Sequence, residues 1–205
     1  MSDLASAPGA WLAPAGRSPL VIGVDPSLTC TGVAGDGWAD ALQSKKLRGH
    51  ERLQWLRAGV RERTRMADLV VIEGAAYGHG KQAGHHELAG LWWHLTQDLW
   101  EQNIPYVVVA PSSRIVYAMG VSNPAQHYPR EQRARVTKGM VRDAVAERYG
   151  LDCEGAGRYD KADAFILAAM GLDWAGRPLA PVPDTHRRAL DAVPWPSAEG
   201  AEAAA

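Results

Sequence analysis

Short, continuous apolar runs that end in a carboxylate are the feature that most restricts the fold of this chain. Residues 69–72 read Leu-Val-Val-Ile between Asp68 and Glu73, and residues 20–24 form a similar run that ends at Asp25. β-Branched runs of this length, without polar alternation, are typical of strands that are buried on both faces of a sheet. A sheet covered on both faces needs helices in its connections, so these runs predict an α/β fold.

The segments between these runs alternate between strand-like and helix-like patterns. Residues 29–34 and 38–44 predict two strands joined by short turns, which form an antiparallel meander with the first strand. A fifth strand is predicted over 104–109, with helices over 47–66, 84–102, 131–149 and 159–172 and a short helix that ends at Met119. Strands separated by helices add as parallel neighbours. The prediction is a mixed five-stranded sheet with helices on both faces, which resembles the ribonuclease H-like architecture.

Composition restricts the class of protein and its surroundings. The 205 residues carry 22 Lys and Arg against 23 Asp and Glu, and this net charge of −1 excludes a globally basic nucleic-acid coat and an acidic disordered protein. The two cysteines, Cys30 and Cys153, are too few for a disulfide framework, which fits a reducing compartment. The sequence indicates neither a membrane span nor a signal peptide, so we expect a soluble cytoplasmic protein.

Segments rich in proline, alanine and glycine frame the predicted domain. Three prolines lie in residues 1–19 and five lie after residue 177. Segments of this composition bury too little apolar surface to offset their ordering entropy. We therefore predict a flexible N-terminal tail over 1–18, one domain over 19–176 and a flexible C-terminal tail over 177–205. Within the last tail, Trp195 is expected to dock loosely on the domain rather than on a partner.

Four carboxylates lie where open α/β sheets place their ligands. Asp25 and Glu73 each end a strand, and Asp160 and Asp163 project from one face at the start of an apolar helix. Taken singly, such acids are often turn formers or partners of a helix dipole. Together they would repel one another unless cations lay between them, and hard oxygen ligands select Mg²⁺ or Mn²⁺. The joint pattern predicts a divalent-metal site.

The segments that carry these acids resemble the RuvC family of Holliday-junction resolvases. They read Ile22-Gly-Val-Asp25-Pro-Ser-Leu-Thr-Cys-Thr-Gly32, Val71-Ile-Glu73, Val109-Ala-Pro-Ser-Ser113 and Tyr159-Asp-Lys-Ala-Asp163-Ala-Phe, within residues 20–172. Two departures are Ser27, where the family commonly has glycine, and the proline-containing stretch over 121–130. The resemblance implies a ribonuclease H-like nuclease whose catalytic residues and metal ligands are Asp25, Glu73, Asp160 and Asp163.

The resemblance also implies the reaction and its partners. Two Mg²⁺ ions, for which Mn²⁺ can substitute, would clamp an in-line phosphodiester displacement at a separation of about 3.5–4 Å. The implied activity is cleavage of four-way DNA junctions by a homodimer, which leaves 5′-phosphate nicks. Branch-migration proteins are a candidate further partner, and no membrane partner is expected.

Basic clusters supply the local positive charge that a DNA partner requires. For the cluster over 45–66, a DNA contact and a solvated helix face are equally open, whereas for that over 111–148 a DNA contact is favoured. The glycine-rich segment after Glu73 adds Tyr77, the nearest candidate for the aromatic wedge of RuvC-like proteins, and Lys81. The candidate DNA contacts are Tyr77, Lys81, Arg114, Arg130, Arg133, Arg135 and Lys138.

Several alternatives stay open at the level of sequence. The chain could be another ribonuclease H-like nuclease that acts on RNA–DNA hybrids or RNA, or a catalytically inactive junction-binding protein. Trp92 and Trp93 cannot both face the same core, so one is expected in the core and the other at a dimer interface. The histidines His79, His85 and His86 lack the cysteine partners and spacing of a zinc site, so we expect them at the surface.

Overall fold

A five-stranded mixed sheet forms the centre of the structure, a computed structural model that describes residue 13 and residues 16–74 and 84–197. The strands are β1 (Val21–Asp25), β2 (Cys30–Gly35), β3 (Trp38–Gln43), β4 (Leu69–Glu73) and β5 (Tyr106–Val109), in the spatial order β3-β2-β1-β4-β5. The β1–β2 and β2–β3 pairs are antiparallel, and the β1–β4 and β4–β5 pairs are parallel. The predicted meander with two added parallel strands is confirmed.

Helices cover both faces of this sheet, as predicted. They are α1 (Gly49–Thr64), α2 (His85–Glu101), α3 (Pro111–Met119), α4 (Arg130–Tyr149), α5 (Arg158–Trp174) and α6 (Asp184–Arg187), followed by a 3₁₀ turn over Leu190–Ala192. In β4, Val70 and Ile72 pack with α1 and α2, whereas Leu69 and Val71 pack with α5. Burial on both faces explains why the run shows no polar alternation. Within the described ranges, no helix is long and apolar enough to cross a membrane.

Two glycines let α5 lie directly on β1 and β2. A Cβ atom on Gly23 would lie 2.0 Å from the backbone oxygen of Ala164, and one on Gly32 would lie 2.0 Å from that of Asp160. Any larger residue at either position would therefore push the first half of α5 away from the sheet. Since Gly32 also pairs with Asp25 across the β1–β2 ladder, the same contact fixes the acidic start of α5 relative to Asp25.

The C-terminal segment packs on the domain, which corrects the predicted flexible tail for residues 177–197. The ring of Trp195 stacks on that of Trp174, with centroids 4.9 Å apart and 9° between the planes, and its Nε1 donates to the Leu190 oxygen at 2.9 Å. Leu190 and Val193 are buried in the same core as α5. This burial supplies the hydrophobic stabilisation that the composition alone does not reveal. The folded unit therefore extends at least to Trp195.

The chain is also packed at the start of the predicted domain. Arg17 pairs with Asp68 at 2.7 Å, and the second carboxylate oxygen of Asp68 accepts a hydrogen bond from the backbone of Leu20 at 2.6 Å. The acid that precedes the β4 run therefore joins the start of β1 to the start of β4. The remainder of the predicted N-terminal tail, residues 1–12 and 14–15, lies outside the described residues.

Candidate active site

The ends of β1 and β4 bring two of the predicted acids together. The strands are parallel neighbours in which Val24 pairs with Ile72, so the next residues, Asp25 and Glu73, lie side by side at one edge of the sheet. The first two turns of α5, which carry Asp160 and Asp163, pack over this edge. Asp25 is only 8% exposed, and the charges of the other three acids all act on it. The structure thus gathers the four predicted acids in one cluster.

Burial and mutual repulsion disfavour the charged forms of two of these acids, Asp25 and Asp163. Burial, followed by the negative charges of Glu73 and Asp163, raises the pKa of Asp25 well above its ordinary value. Burial also raises the pKa of Asp163 to about 6, although the positive charge of Arg114 acts in the opposite direction. Both pKa shifts disfavour the carboxylate form, as expected where several acids converge at a cation-binding site.

Arg114 lies inside the acidic cluster. It belongs to α3, which begins directly after β5, and its side chain is 8% exposed. Its Nε donates to Oε2 of Glu73, and its Nη1 donates to Oδ1 of Asp163. Burial lowers the pKa of Arg114, but the charges of Asp163 and Glu73 outweigh this effect, so its pKa lies above the ordinary value. The guanidinium is therefore a permanent positive charge between two of the predicted metal ligands.

Two further side chains adjoin Asp160. The Nζ of Lys138, on α4, lies 3.8 Å from Oδ1 of Asp160, and the lysine side chain is 47% exposed. The Cys30 thiol also adjoins Asp160, and burial together with the negative charge of Asp160 raises its pKa to about 12. The thiol is therefore protonated at neutral pH and can act as a hydrogen-bond donor, whereas Lys138 extends from the cluster to solvent.

The donor chemistry of the cluster suits a hard divalent cation, because all of its potential ligands are carboxylate oxygens. However, no three His, Cys, Asp or Glu side chains in the described part of the chain are arranged to hold an ion. Two of these acids, Glu73 and Asp163, are paired with the Arg114 guanidinium. The residues therefore fit a divalent cation by their chemistry, while two of the candidate ligands are bound to Arg114.

Four of the predicted DNA contacts lie on α4, and one of them, Lys138, adjoins Asp160. Arg130 and Arg135 are exposed and form no ion pair with any described residue. Arg133 is half-buried and its Nε donates to the backbone oxygen of Tyr128 at 2.9 Å. Lys138 completes the set beside Asp160. Three of these four side chains are thus exposed to solvent and available to a polyanion.

The other predicted DNA contacts have different outcomes. Arg114 is buried, and two of its nitrogens donate to carboxylates, so the structure does not support the expectation that it contacts DNA. Tyr77 and Lys81 lie in residues 75–83, outside the described residues, as does His79. Sequence reasoning took Arg114 for part of a basic surface because nothing in its neighbourhood reveals that α3 turns it inwards.

Sequence reasoning missed an aromatic side chain beside the cluster. Tyr159, directly before Asp160, is flanked by two guanidinium groups, with the carbon of Arg158 4.8 Å and that of Arg142 5.9 Å from the centre of its ring. The hydrogen bond that Arg158 donates to its hydroxyl lowers the pKa of Tyr159. Helical spacing places Arg135, Lys138 and Arg142 on one face of α4, the basic face of this helix, but no sequence pattern marks Tyr159 itself.

The first basic cluster has a structural explanation. On α1, Arg57 pairs with the buried Asp98 of α2 at 2.6 Å, and Arg63 pairs with Asp40 of β3 at 2.5 Å. Arg52 likewise pairs with Glu87 at the start of α2. These arginines tie α1 to its neighbours, so the structure favours the paired helix face over a DNA contact for this cluster.

The adjacent tryptophans of α2 separate as expected. Trp92 packs against the core of its face, and its Nε1 donates to the backbone oxygen of Glu73 at 3.1 Å, which helps to hold the end of β4 in place. Trp93 is 68% exposed, and Trp100, two turns later on the same side of the helix, is 66% exposed. His85 and His86 belong to no metal-binding group among the described residues.

Comparison with solved structures identifies the fold. No protein-family model and no curated protein matches the sequence. The structure is similar to that of Thermus thermophilus RuvC, with a TM-score of 0.55 and 16% identity over 80% of this chain and 99% of that one. It is also similar to T. thermophilus RuvC in complex with a Holliday junction substrate, with a TM-score of 0.50 and 20% identity over the same shares. The chain therefore has the ribonuclease H-like α/β fold of RuvC.

Proposed function

We propose that this protein is a metal-dependent, structure-selective DNA endonuclease that cleaves four-way junctions and acts in DNA recombination and repair. The observation that carries the proposal is the convergence of four acids at one edge of a sheet with the RuvC fold: Asp25, Glu73, Asp160 and Asp163. A solved structure with this fold is a complex with a Holliday junction substrate. Fold and acidic cluster are independent observations, and both favour a nuclease that acts on branched DNA.

The four acids are proposed to be catalytic residues that hold two Mg²⁺ ions, with Mn²⁺ as a substitute. Divalent cations at such a site supply activation of the attacking water and stabilisation of the charge on the leaving 3′ oxygen. The carboxylates would differ in their parts, because Asp25 and Asp163 are buried at the floor of the cluster, whereas the side chains of Glu73 and Asp160 are 16% and 19% exposed. The exposed pair would therefore face the scissile phosphate.

The basic face of α4 is proposed to position the DNA. Phosphates that follow Arg130, Arg135 and Lys138 would be led to Asp160, where Lys138 already lies within 3.8 Å. Tyr159, flanked by arginines, would stack on a base beside the cleaved strand. Neutralisation of phosphates by these groups releases counterions, so binding should weaken as the salt concentration rises.

A homodimer is the proposed functional form. A four-way junction is two-fold symmetric, so two opposed nicks require two sites related by the same symmetry. The α2 face with Trp93 and Trp100 is an exposed aromatic surface of the kind enriched at interfaces. Branch-migration proteins stay a candidate further partner, and a cytoplasmic location stays a prediction.

A substrate panel tests the proposal. End-labelled four-way junction, flap, linear duplex and RNA–DNA hybrid of matched sequence would be incubated with the full chain in Mg²⁺, Mn²⁺ or EDTA. We expect cleavage of the junction in either metal, none in EDTA, and paired nicks with ligatable 5′-phosphate ends. Preferential cleavage of the hybrid would contradict the proposal in favour of another ribonuclease H-like nuclease. Tight junction binding without cleavage in either metal would favour an inactive binding protein.

A further inference from the structure

Arg114 is the feature of the acidic cluster that the proposed function does not use. Its guanidinium is buried and donates to Glu73 and to Asp163, two acids that are 90 residues apart in the chain and belong to different elements. Burial removes water from the guanidinium and from both carboxylates, and their pairing compensates for this loss of hydration.

Charge balance indicates that Arg114 compensates the cluster only in part. Four carboxylates converge, whereas the positive groups that pair with them among the described residues are the Arg114 guanidinium and the half-exposed Lys138 amine at 3.8 Å from Asp160. Arg114 pairs with Glu73 and Asp163, whereas Asp25 forms no ion pair with any described residue. The acids therefore outnumber their paired positive groups, which leaves negative charge to attract divalent cations.

Geometry indicates that Arg114 and a bridging cation compete for the same atoms. The guanidinium binds Oε2 of Glu73 and Oδ1 of Asp163, so a cation that used these oxygens would compete with Arg114 for them. The positive charges of the guanidinium and of such a cation would also repel each other strongly in a poorly solvated site. Among the described residues, no three His, Cys, Asp or Glu side chains are arranged to hold an ion.

We propose that Arg114 is a positioning residue that serves as an internal counter-cation, holding Glu73 and Asp163 together in the metal-free protein and releasing them when divalent cations bind. The inference rests on the proposed function, in that these acids are taken to be the metal ligands. Its consequence is a lowered metal affinity, because only the fraction of molecules with Arg114 displaced is competent to bind. In the metal-free fold, the same pairing compensates the charges of Glu73 and Asp163.

Metal binding to matched variants tests this exchange. Arg114→Met removes the charge at similar side-chain length. Arg57→Met is the control, because Arg57, although more exposed, also pairs with a buried carboxylate, that of Asp98 on the opposite face of the sheet. Mn²⁺ affinity would be measured by isothermal titration calorimetry, and melting temperatures would be measured in EDTA and in Mn²⁺. Full chains are used throughout.

We expect Arg114→Met to melt about 5–15 °C below the wild type in EDTA, since it leaves buried carboxylates unpaired. Mn²⁺ should restore most of this loss and should bind the variant at least about tenfold more tightly than the wild type. Arg57→Met should also melt lower in EDTA, but Mn²⁺ should not restore it. Equal or weaker Mn²⁺ binding by Arg114→Met, or equal recovery of Arg57→Met, would overturn the exchange.

A measurement on the wild type covers the case in which Arg114→Met does not fold. The Nε–H of a buried, paired arginine exchanges slowly with water, so its NMR signal, assigned by its loss in Arg114→Lys, reports on the pair directly. We expect Mg²⁺ to abolish this protection, and unchanged protection at saturating Mg²⁺ would overturn the exchange. Absence of Mn²⁺ binding by both wild type and Arg114→Met would instead contradict the proposed metal site itself, which separates the two failures.

Discussion

At the scale of single residues, Asp25 lies where a negative charge would favour a bound cation but lowers the stability of the metal-free protein. The carboxyl is 8% exposed, lies beside Glu73 at the ends of two parallel strands and receives no ion pair of its own among the described residues. Its burial and its acidic neighbours raise its pKa well above the ordinary value. In the metal-free protein, the ionised form of Asp25 therefore opposes folding.

The first prediction concerns the stability of Asp25→Asn in EDTA. Between the ordinary pKa of about 3.9 and the raised pKa of the folded state, the native protein binds more protons than the unfolded one, so stability falls as the pH rises through that window. Asparagine cannot ionise, so the variant should melt above the wild type at pH 7.5, and the difference should shrink towards pH 4. Each unit of raised pKa is equivalent to about 1.4 kcal/mol, and 1 kcal/mol shifts the melting temperature by about 2–4 °C.

Asp40→Asn is the matched control, because its shift has the opposite sign. The hydrogen bond from Arg63 lowers the pKa of Asp40, so this acid stabilises the fold at neutral pH and loses that effect as the pH falls. Thermal melts from pH 4 to 8 should therefore move in opposite directions for the two variants. A lower melting temperature for Asp25→Asn than for the wild type at pH 7.5 would contradict this account of the cluster.

The sequence predicts the place of some residues in the candidate site but not of others. Asp25 and Glu73 are predictable, because an acid that ends an apolar run must lie at the edge of the sheet. Arg114 is not, since the direction of its side chain depends on where α3 packs against α5, a contact between elements about 50 residues apart. Tyr159 lies next to a predicted ligand but carries no pattern of its own, and only the approach of α4 to α5 places Arg142 beside it.

At the scale of elements, the packing of α5 on β1 and β2 determines the geometry of the acidic cluster. Gly23 and Gly32 allow the helix to touch the backbone of β1 and β2, so its first turns reach Asp25. The sequence predicts the helix and the strands from their periodicity, but it does not reveal that these two glycines are contact points rather than ordinary small residues. The sequence thus predicts the presence of a helix or strand more readily than its packing.

The basic face of α4 gives the second prediction, for DNA affinity. Arg135→Ala with Lys138→Ala should weaken junction binding and reduce the slope of log affinity against log salt by about 1 for each phosphate contact that is lost. Binding would be measured by fluorescence anisotropy from 50 to 300 mM salt, in EDTA to prevent cleavage. The double variant should melt close to the wild type, since both side chains are largely exposed.

A second double variant controls for the loss of charge alone. Arg61→Ala with Arg65→Ala removes two exposed arginines from α1 and from the residue directly after it, on the opposite face of the sheet. This pair should leave the salt slope near that of the wild type. Equal effects of the two double variants would show that net charge, rather than the α4 face, governs binding.

At the scale of the whole molecule, the C-terminal segment braces the helix that carries Arg114. The Nδ1 of His186 lies 2.9 Å from the backbone oxygen of Tyr117, and Arg188 donates to that of Gly120 at 2.9 Å, both at the end of α3. Trp195 then fastens the segment to α5 by stacking on Trp174. The fold and the candidate site therefore depend on residues beyond the predicted domain boundary.

This brace gives the third prediction, for Trp195→Ala. Loss of the stacked ring and of the hydrogen bond to Leu190 should cost about 1–2 kcal/mol, or about 2–8 °C in melting temperature. Trp195→Phe keeps an aromatic ring and should lose less. Thermal melts of both variants check this, and a Trp195→Ala protein that melts with the wild type would mean that the segment contributes no stability.

Most of the architecture is predictable, and its C-terminal extension is not. The meander and the parallel strands follow from the sequence, because strands with short turns pair antiparallel and strands joined through helices add in parallel. The sequence leaves open that β4 adds next to β1, which the structure shows. The C-terminal segment has the composition of a tail, and only the apolar surface that α5 and α3 offer makes it pack. That surface is a product of the tertiary structure, so no local pattern reports it.

Junction cleavage by site variants tests the central claim, that the four acids form a metal-dependent catalytic centre. Asp25→Asn and Glu73→Gln would be assayed on a labelled four-way junction in Mg²⁺ and in Mn²⁺, with Asp40→Asn as the control and with junction binding measured in parallel. The account predicts that both site variants lose cleavage by at least about 100-fold, as expected when transition-state charge stabilisation is removed, while they still bind the junction and Asp40→Asn still cleaves it. Robust cleavage by Asp25→Asn or Glu73→Gln would contradict it.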